Sequence, residues 1–259
     1  MTAPRPSASR PAADRNPNVV RQSRGGAGGS RRGFYAALLL VAVAVVGGLL
    51  WTTRQNTTSA APIVVPPAPP GAAQPIGYHL GNPSAPVEIV EYADFECSVC
   101  GQYFAVTEPD VRKQLIEPGI ARYTIYDIQI NREHGNSPAA SLAAACANEQ
   151  GKFWPMHDQL YATQDAWNSQ VTNNPRPIFA DYAQRLGLDL PKWNACYDAQ
   201  RYTRNLAINR AEFERIGSRG TPTFVINGKM MTANATFDAI KAMVDSARAG
   251  GAAKPVAAR

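Results

Sequence analysis

Four cysteines stand at 97, 100, 146 and 196, and the first two carry the most specific chemistry in the chain. Cys97-Ser98-Val99-Cys100 follows Val87-Glu88-Ile89-Val90-Glu91-Tyr92, a β-rich run that ends at Ala93-Asp94-Phe95-Glu96. A C-x-x-C at the point where a strand hands over to a helix is a redox arrangement. The unpaired N–H groups and the dipole of the helix start stabilise a thiolate on the first sulfur. The second sulfur lies one turn deeper and is shielded. Cys97 is therefore expected to be the exchangeable sulfur and Cys100 the resolving one. Half of a zinc site, or an inert structural disulfide, are the competing readings of the same pair. Four cysteines satisfy tetrahedral zinc by count. Cys146 and Cys196, however, lie 50 residues apart in separate predicted helices and form no second knuckle. The preferred reading joins them in a bridge across a helical insertion, worth about 4 kcal/mol in the chain-entropy model. Two buried free thiols are the alternative.

Arg219-Gly220-Thr221-Pro222-Thr223-Phe224 is the second constellation. A proline opening a strand brings no N–H to the ladder, and an X-Pro bond there can be held cis. Placed beside the sulfurs, it would leave the backbone of Thr221 free to pair with an incoming peptide. His79, His134 and His157 fall at unrelated spacings, and no role is expected of them. Trp154 and Trp193 are read as core.

The elements around these residues follow from periodicity and punctuation. A helix after Cys97 is expected to run to about Leu115, kinked at Pro109. Residues 121–126 form a second strand. Five helical pieces follow, 138–148, 152–163, 177–186, 191–198 and 201–216, set off by Gly, Pro and Asn. Strands at 223–226 and 229–232 flank Asn227-Gly228, a strong hairpin signal. A last amphipathic helix spans about 235–248, with Phe237, Ile240, Met243 and Val244 on one face. This is one α/β domain whose helices are concentrated in an insertion.

Forty-five per cent hydrophobic residues and 18% charged exclude a collagen, a wholly disordered chain and a polytopic membrane protein. The net charge of +6 belongs to residues 1–32, where seven arginines stand against one acid, Asp14. The other 227 residues carry as many basic as acidic side chains, so nucleic acid is not an expected partner. Residues 33–51, GFYAALLLVAVAVVGGLLW, are uncharged and as a helix span about 28 Å, close to the thickness of a bilayer core. Arginines on the N-terminal side predict a cytoplasmic tail, a single-pass anchor in a bacterial membrane and an extracytoplasmic body. A cleaved signal ending near Ser59-Ala60-Ala61 is the alternative, and Ser30-Arg31-Arg32-Gly33-Phe34 resembles a twin-arginine signal. Residues 52–75 read as a Pro-rich spacer that buries little. The folded domain is expected over 76–249, with its helical insertion at about 137–217 and a frayed end at 250–259.

Strand, C-x-x-C and helix at one end, with Gly220-Thr221-Pro222-Thr223-Phe224 before a hairpin at the other, resemble the thioredoxin superfamily. More narrowly the body is similar to the DsbA-like thiol-disulfide oxidoreductases. The resemblance rests on 95–100, on Ala145-Cys146-Ala147-Asn148-Glu149-Gln150-Gly151-Lys152-Phe153-Trp154, on 194–196 and on 220–228, and it covers about 77–247. It implies a thioredoxin fold with an inserted helical domain, behind a transmembrane helix and a linker. Cys97 would then be the nucleophile, Cys100 its partner, Pro222 the cis-proline facing them and Thr221 the substrate-contacting residue. Glu91 matches a buried acid that moves protons for Cys100, with a solvated residue or a salt bridge as the plainer reading. Cys146 and Cys196 resemble a structural disulfide. Ser98-Val99 departs from the Pro-His of the best-known oxidants, which implies a less depressed Cys97 and a less oxidising pair.

The expected function is to introduce disulfides into unfolded exported proteins. A membrane quinone-linked reoxidase of the DsbB or vitamin-K-epoxide-reductase type would restore the enzyme. No cofactor or metal is expected, and the enzyme is read as a monomer. A reductase or isomerase of the same fold is the first rival, and a non-enzymatic peptide- or zinc-binding module the second.

Overall fold

The chain divides into two units, Met1–Thr58 and Ser59–Arg259. The computed structural model describes residues 31–56, 63–69, 71, 74–232 and 235–250, without the side chains of 32 and 49–56. Among its described residues the first unit forms one helix, α1 (Arg31–Asn56), and the apolar run 33–51 falls within it. Among the described residues no helix is long and apolar enough to cross a membrane. The arginine-rich tail before residue 31, the candidate cleavage site at 59–61 and the C-terminal end after 250 lie outside the described residues.

The second unit is built on a five-stranded sheet. Its strands are β1 (Tyr78–Leu80), β2 (Val87–Ala93), β3 (Ala121–Asp127), β4 (Thr223–Ile226) and β5 (Lys229–Thr232), in the order β1-β3-β2-β4-β5. Alternation along β2 sends Val87, Ile89, Glu91 and Ala93 to one buried face and Tyr92 to the other. β2 and β3 pair in parallel, which requires a crossover. α2 (Ser98–Val106), α3 (Glu108–Val111) and a π-helical turn (Arg112–Ile116) supply it. The single helix expected to Leu115 is thus three pieces, interrupted at Thr107, two residues before Pro109. β4 runs antiparallel to β2, with Glu91 opposite Phe224 and Tyr92 opposite Thr223. This register brings the residues just before β4, Thr221 and Pro222, to the end of β2 where Cys97 follows. At the hairpin Asn227 (φ 49°) and Gly228 (φ 76°) both take the left-handed conformation that a two-residue turn demands.

Between β3 and β4 lie α4 (Ser137–Asn148), α5 (Phe153–Ala162), α6 (Gln164–Trp167), α7 (Arg176–Arg185), α8 (Leu190–Asp198) and α9 (Thr203–Arg215). α4 is buried from Ser137 to Ala147, and its six alanines let neighbouring helices approach closely. A disulfide ties its Cys146 to Cys196 of α8, with Cα atoms 5.7 Å apart. Beside it the Trp193 indole donates to the Ala143 carbonyl at 3.1 Å. Tyr92 packs against Phe213 of α9, ring centres 5.8 Å apart, on the sheet face opposite Glu91. α10 (Phe237–Ala249) starts at Thr236, whose hydroxyl accepts from the Ala239 N–H, and buries Ile240, Val244 and Ala247.

β1 and α6 carry too few residues for periodicity to reveal them. Tertiary contacts hold both: Trp154 Nε1 donates to the His79 carbonyl at 2.7 Å, and Trp167 Nε1 to the Leu160 carbonyl at 2.9 Å. The middle of the Pro-rich segment, expected to bury little, instead touches the domain. Ile63 packs on the core, and the Val64 N–H donates to the Gln200 side chain at 3.0 Å.

Candidate active site

Cys97 occupies the N-cap position of α2 in an extended conformation (φ −71°, ψ 121°), so the N–H groups of the first helical turn point toward its side chain. Its own N–H donates to the Asp94 carbonyl at 3.0 Å, and its carbonyl accepts from the Gly101 N–H at 3.0 Å. As a thiol, Cys97 Sγ donates to the Thr221 carbonyl at 3.6 Å. The Cys97 side chain is pulled down to about pKa 5, first by the hydrogen bond from the Cys100 thiol. The Thr221 side chain and the N–H groups of Cys100 and Val99 add to the effect, against burial. The Thr221 hydroxyl is buried with no other partner among the described residues. Cys100, 1% exposed, is pushed the other way, by burial first and then by the Cys97 sulfur and Glu91. Two free thiols three residues apart therefore differ sharply, one a thiolate at neutral pH and one a thiol.

Glu91 lies on the central strand, 2% exposed. Burial, and then the carboxylate of Glu108, push it up to about pKa 8, partly offset by the Tyr123 hydroxyl that donates to it at 2.6 Å. The Tyr103 and Tyr123 hydroxyls are 3.2 Å apart, which extends this polar path from β3 to α2. Glu108 is itself buried and paired with Arg112, whose guanidinium also grips Asp158 at 2.7 and 2.9 Å. His157, fully buried, lies with Nδ1 2.8 Å from Asp158. Glu108, His157 and Asp158 are donor types that could hold a metal ion. The Arg112 guanidinium already bonds to all three groups and supplies the positive charge there.

The turn before Cys97 is held by groups that spacing alone did not single out. Asp94 is fully buried and accepts from the Glu96 and Ile130 N–H groups, each at 2.9 Å. His134 Nδ1 lies 2.8 Å from the same carboxylate, and that contact raises the imidazole pKa. Glu96 accepts from the N–H groups of Asn136 and Ser169. A polar residue bounding a C-x-x-C on its N-terminal side was the available signal for Asp94 and Glu96. For His134 and His157 there was none.

The Thr221–Pro222 bond is cis. A groove of about 890 Å³ opens beside it, walled by Val99, Val106, Thr221, Pro222 and Met230, and among the described residues Arg219 is its one charged lining residue. Cys146 and Cys196 are tied to each other and remote in sequence from this site. The thiolates that a four-cysteine zinc site would need from them are thereby spent.

Comparison with known proteins agrees with this architecture. The family described as thioredoxin matches residues 74–246. The Na(+)/H(+) antiporter NhaA 3 of Salinispora tropica is 36% identical over 184 residues, 70% of this chain and 26% of that protein. The chain thus spans about a quarter of the length of the first curated relatives it matches. Disulfide bond formation protein D of Bacillus subtilis is 22% identical over 167 residues, 64% of this chain and 74% of that one. Among solved structures, oxidised BdbD of Bacillus subtilis superimposes with a TM-score of 0.59 at 23% identity, covering 67% of this chain and 95% of that one.

Proposed function

This chain belongs to the thioredoxin family, and on that premise we propose that it is a thiol-disulfide oxidoreductase that introduces disulfides into exported proteins. The observation that carries the reading is the asymmetry of the two sulfurs. Cys97 is 8% exposed and its thiolate is stabilised, whereas Cys100 is buried and held as a thiol. With the pair oxidised, a substrate thiolate attacks Cys97 Sγ, the Cys97–Cys100 bond breaks, and Cys100 leaves as a thiolate that takes up a proton. Glu91, pushed up to about pKa 8, is the buried acid available to exchange that proton. A second substrate thiolate then attacks the mixed disulfide at the substrate sulfur. The substrate departs with a disulfide, and Cys97 departs as the thiolate that the start of α2 stabilises. Stabilisation of this reduced form is what makes such a pair an oxidant.

The groove beside Pro222 suits an extended peptide, with the Thr221 backbone offered to it as a short strand. The name of the Bacillus subtilis relative, a disulfide bond formation protein, supports the same direction of transfer. We place the domain outside the cytoplasm on the strength of the apolar run 33–51 and the arginines before it, with that run as a single-pass anchor. A membrane quinone-linked reoxidase, held close by the anchor, would take the electrons from the reduced pair. Retention in the membrane pellet after alkaline extraction tests the anchor, and release of a shortened chain would replace it with a cleaved signal.

The deciding experiment is the reduction potential of the Cys97–Cys100 pair in glutathione buffers, read by thiol trapping. A value near about −120 mV supports disulfide donation. A value near about −270 mV makes the chain a reductant. No redox equilibrium at all removes both readings.

A further inference from the structure

A side chain of the helical insertion reaches the main chain of the reactive cysteine. Gln164, the first residue of α6, directs its Nε2 amide at the carbonyls of Phe95 and Cys97, at 2.6 and 3.0 Å. Both neighbours are acceptors, so only the NH₂ end of the amide fits there, one hydrogen to each oxygen. The seat is tightly made. A Cβ on Gly101 would collide with the Gln164 amide, so the glycine that follows Cys100 is what admits it. Gln164 is also fixed from behind. The Asn168 side chain donates to the Gln164 main-chain carbonyl at 3.0 Å, and the hydroxyl of the adjacent Thr163 meets Tyr182 at 2.7 Å.

We propose that Gln164 is a positioning residue of the redox site: its amide selectively stabilises the dithiol form, so the helical insertion helps to set the reduction potential of the Cys97–Cys100 pair. The inference rests on the oxidoreductase reading above. The effect is electrostatic. The carbonyls of Phe95 and Cys97 bring partial negative charge to the turn that carries the reactive sulfur. In the dithiol form Cys97 bears a full negative charge at neutral pH, and in the disulfide form it bears none. A donor that neutralises those two carbonyls therefore favours the reduced state over the oxidised one.

The test is the equilibrium in which the protein disulfide and two glutathione thiols give the protein dithiol and one glutathione disulfide. It is measured on the full chain as wild type, Gln164→Glu and Gly101→Ala. Gln164→Glu keeps the shape of the side chain and puts negative charge against the carbonyls. Gly101→Ala keeps the glutamine and displaces its amide. Both are expected to shift the constant toward the disulfide by about 3- to 10-fold, the size of the net contribution of one neutral hydrogen bond. Tenfold corresponds to about 30 mV for this two-electron couple. Urea unfolding of the oxidised and reduced forms supplies the second readout, because the reduced form should lose more stability than the oxidised one by the same factor. Equal losses in both forms, with the glutathione constant within twofold of wild type, would assign Gln164 a purely structural role and overturn the proposal. A wild-type pair that does not equilibrate with glutathione would instead remove the oxidoreductase reading itself.

Discussion

The Tyr123 hydroxyl donates to the Glu91 carboxyl across 2.6 Å, between the adjacent strands β2 and β3. That bond favours the carboxylate, yet burial and the Glu108 charge outweigh it, and Glu91 rises from 4.5 to about 8. A carboxyl raised in this way stays protonated in the folded chain while the unfolded chain releases its proton. Between about pH 4.5 and 8 stability must therefore fall as pH rises. Glu91→Gln removes that slope, and at pH 9 the variant should exceed the parent by on the order of 3–5 kcal/mol. Urea denaturation at a series of pH values reads it, and parallel curves for the two proteins would contradict the burial argument.

The reduced protein should show a thiolate absorbance at 240 nm that titrates near pH 5 and vanishes in Cys97→Ser. Because the folded value is depressed, the thiolate contributes stability to the reduced form above the unfolded thiol's pKa, and that stability is lost as pH falls through about 5. Thr221→Val, which deletes the hydroxyl beside the sulfur, should move the midpoint up by about one unit or less. An unmoved midpoint would remove Thr221 from the set of groups that stabilise the thiolate.

Cys146→Ala with Cys196→Ala opens a loop of separation 50. The double variant should lose about 4 kcal/mol or somewhat less in urea unfolding. Its Cys97–Cys100 pair should still equilibrate with glutathione at the parental constant. A changed constant would show that the bridge strains or supports the active turn.

Arg112 neutralises Glu108 and Asp158 together and lies over the Trp154 ring at 5.0 Å. Arg112→Met leaves the Glu108 carboxylate buried without its cation, at a cost of about 3–5 kcal/mol. Glu108→Gln in the same chain should recover part of that loss, since no buried charge then lacks a partner. A double-mutant cycle with no coupling would refute this reading of the cluster.

Local signals make much of the framework legible in the sequence. Cys97 at a strand-to-helix junction, the breaks around each insertion helix and the Asn227-Gly228 turn are all specified within a few residues. β4 and β5 fall where the Asn227-Gly228 hairpin signal placed them, at 223–226 and 229–232. The three pieces after Cys97 were harder to read, because a π-helical turn has no composition that marks it from an α-helix. β1 and α6 exist through partners distant in sequence, and so left no periodic trace.

What the sequence by itself determined was the chemistry on offer: a C-x-x-C at a helix start, a proline opening the facing strand, and a second pair of cysteines in separate helices. Those properties are written in adjacent residues and in φ preferences that each residue carries alone. Only the tertiary structure decided the environment that gives the sulfurs different characters. Cys97 meets Thr221 across 124 residues, His134 meets Asp94 across 40, and Gln164 reaches Cys97 across 67. Glu91 has the same side chain whether solvated or buried. It becomes a group poised near pH 8 only because the sheet and α2 close over it and remove its water. Desolvation is a property of everything packed around a residue, and no spacing along the chain records it.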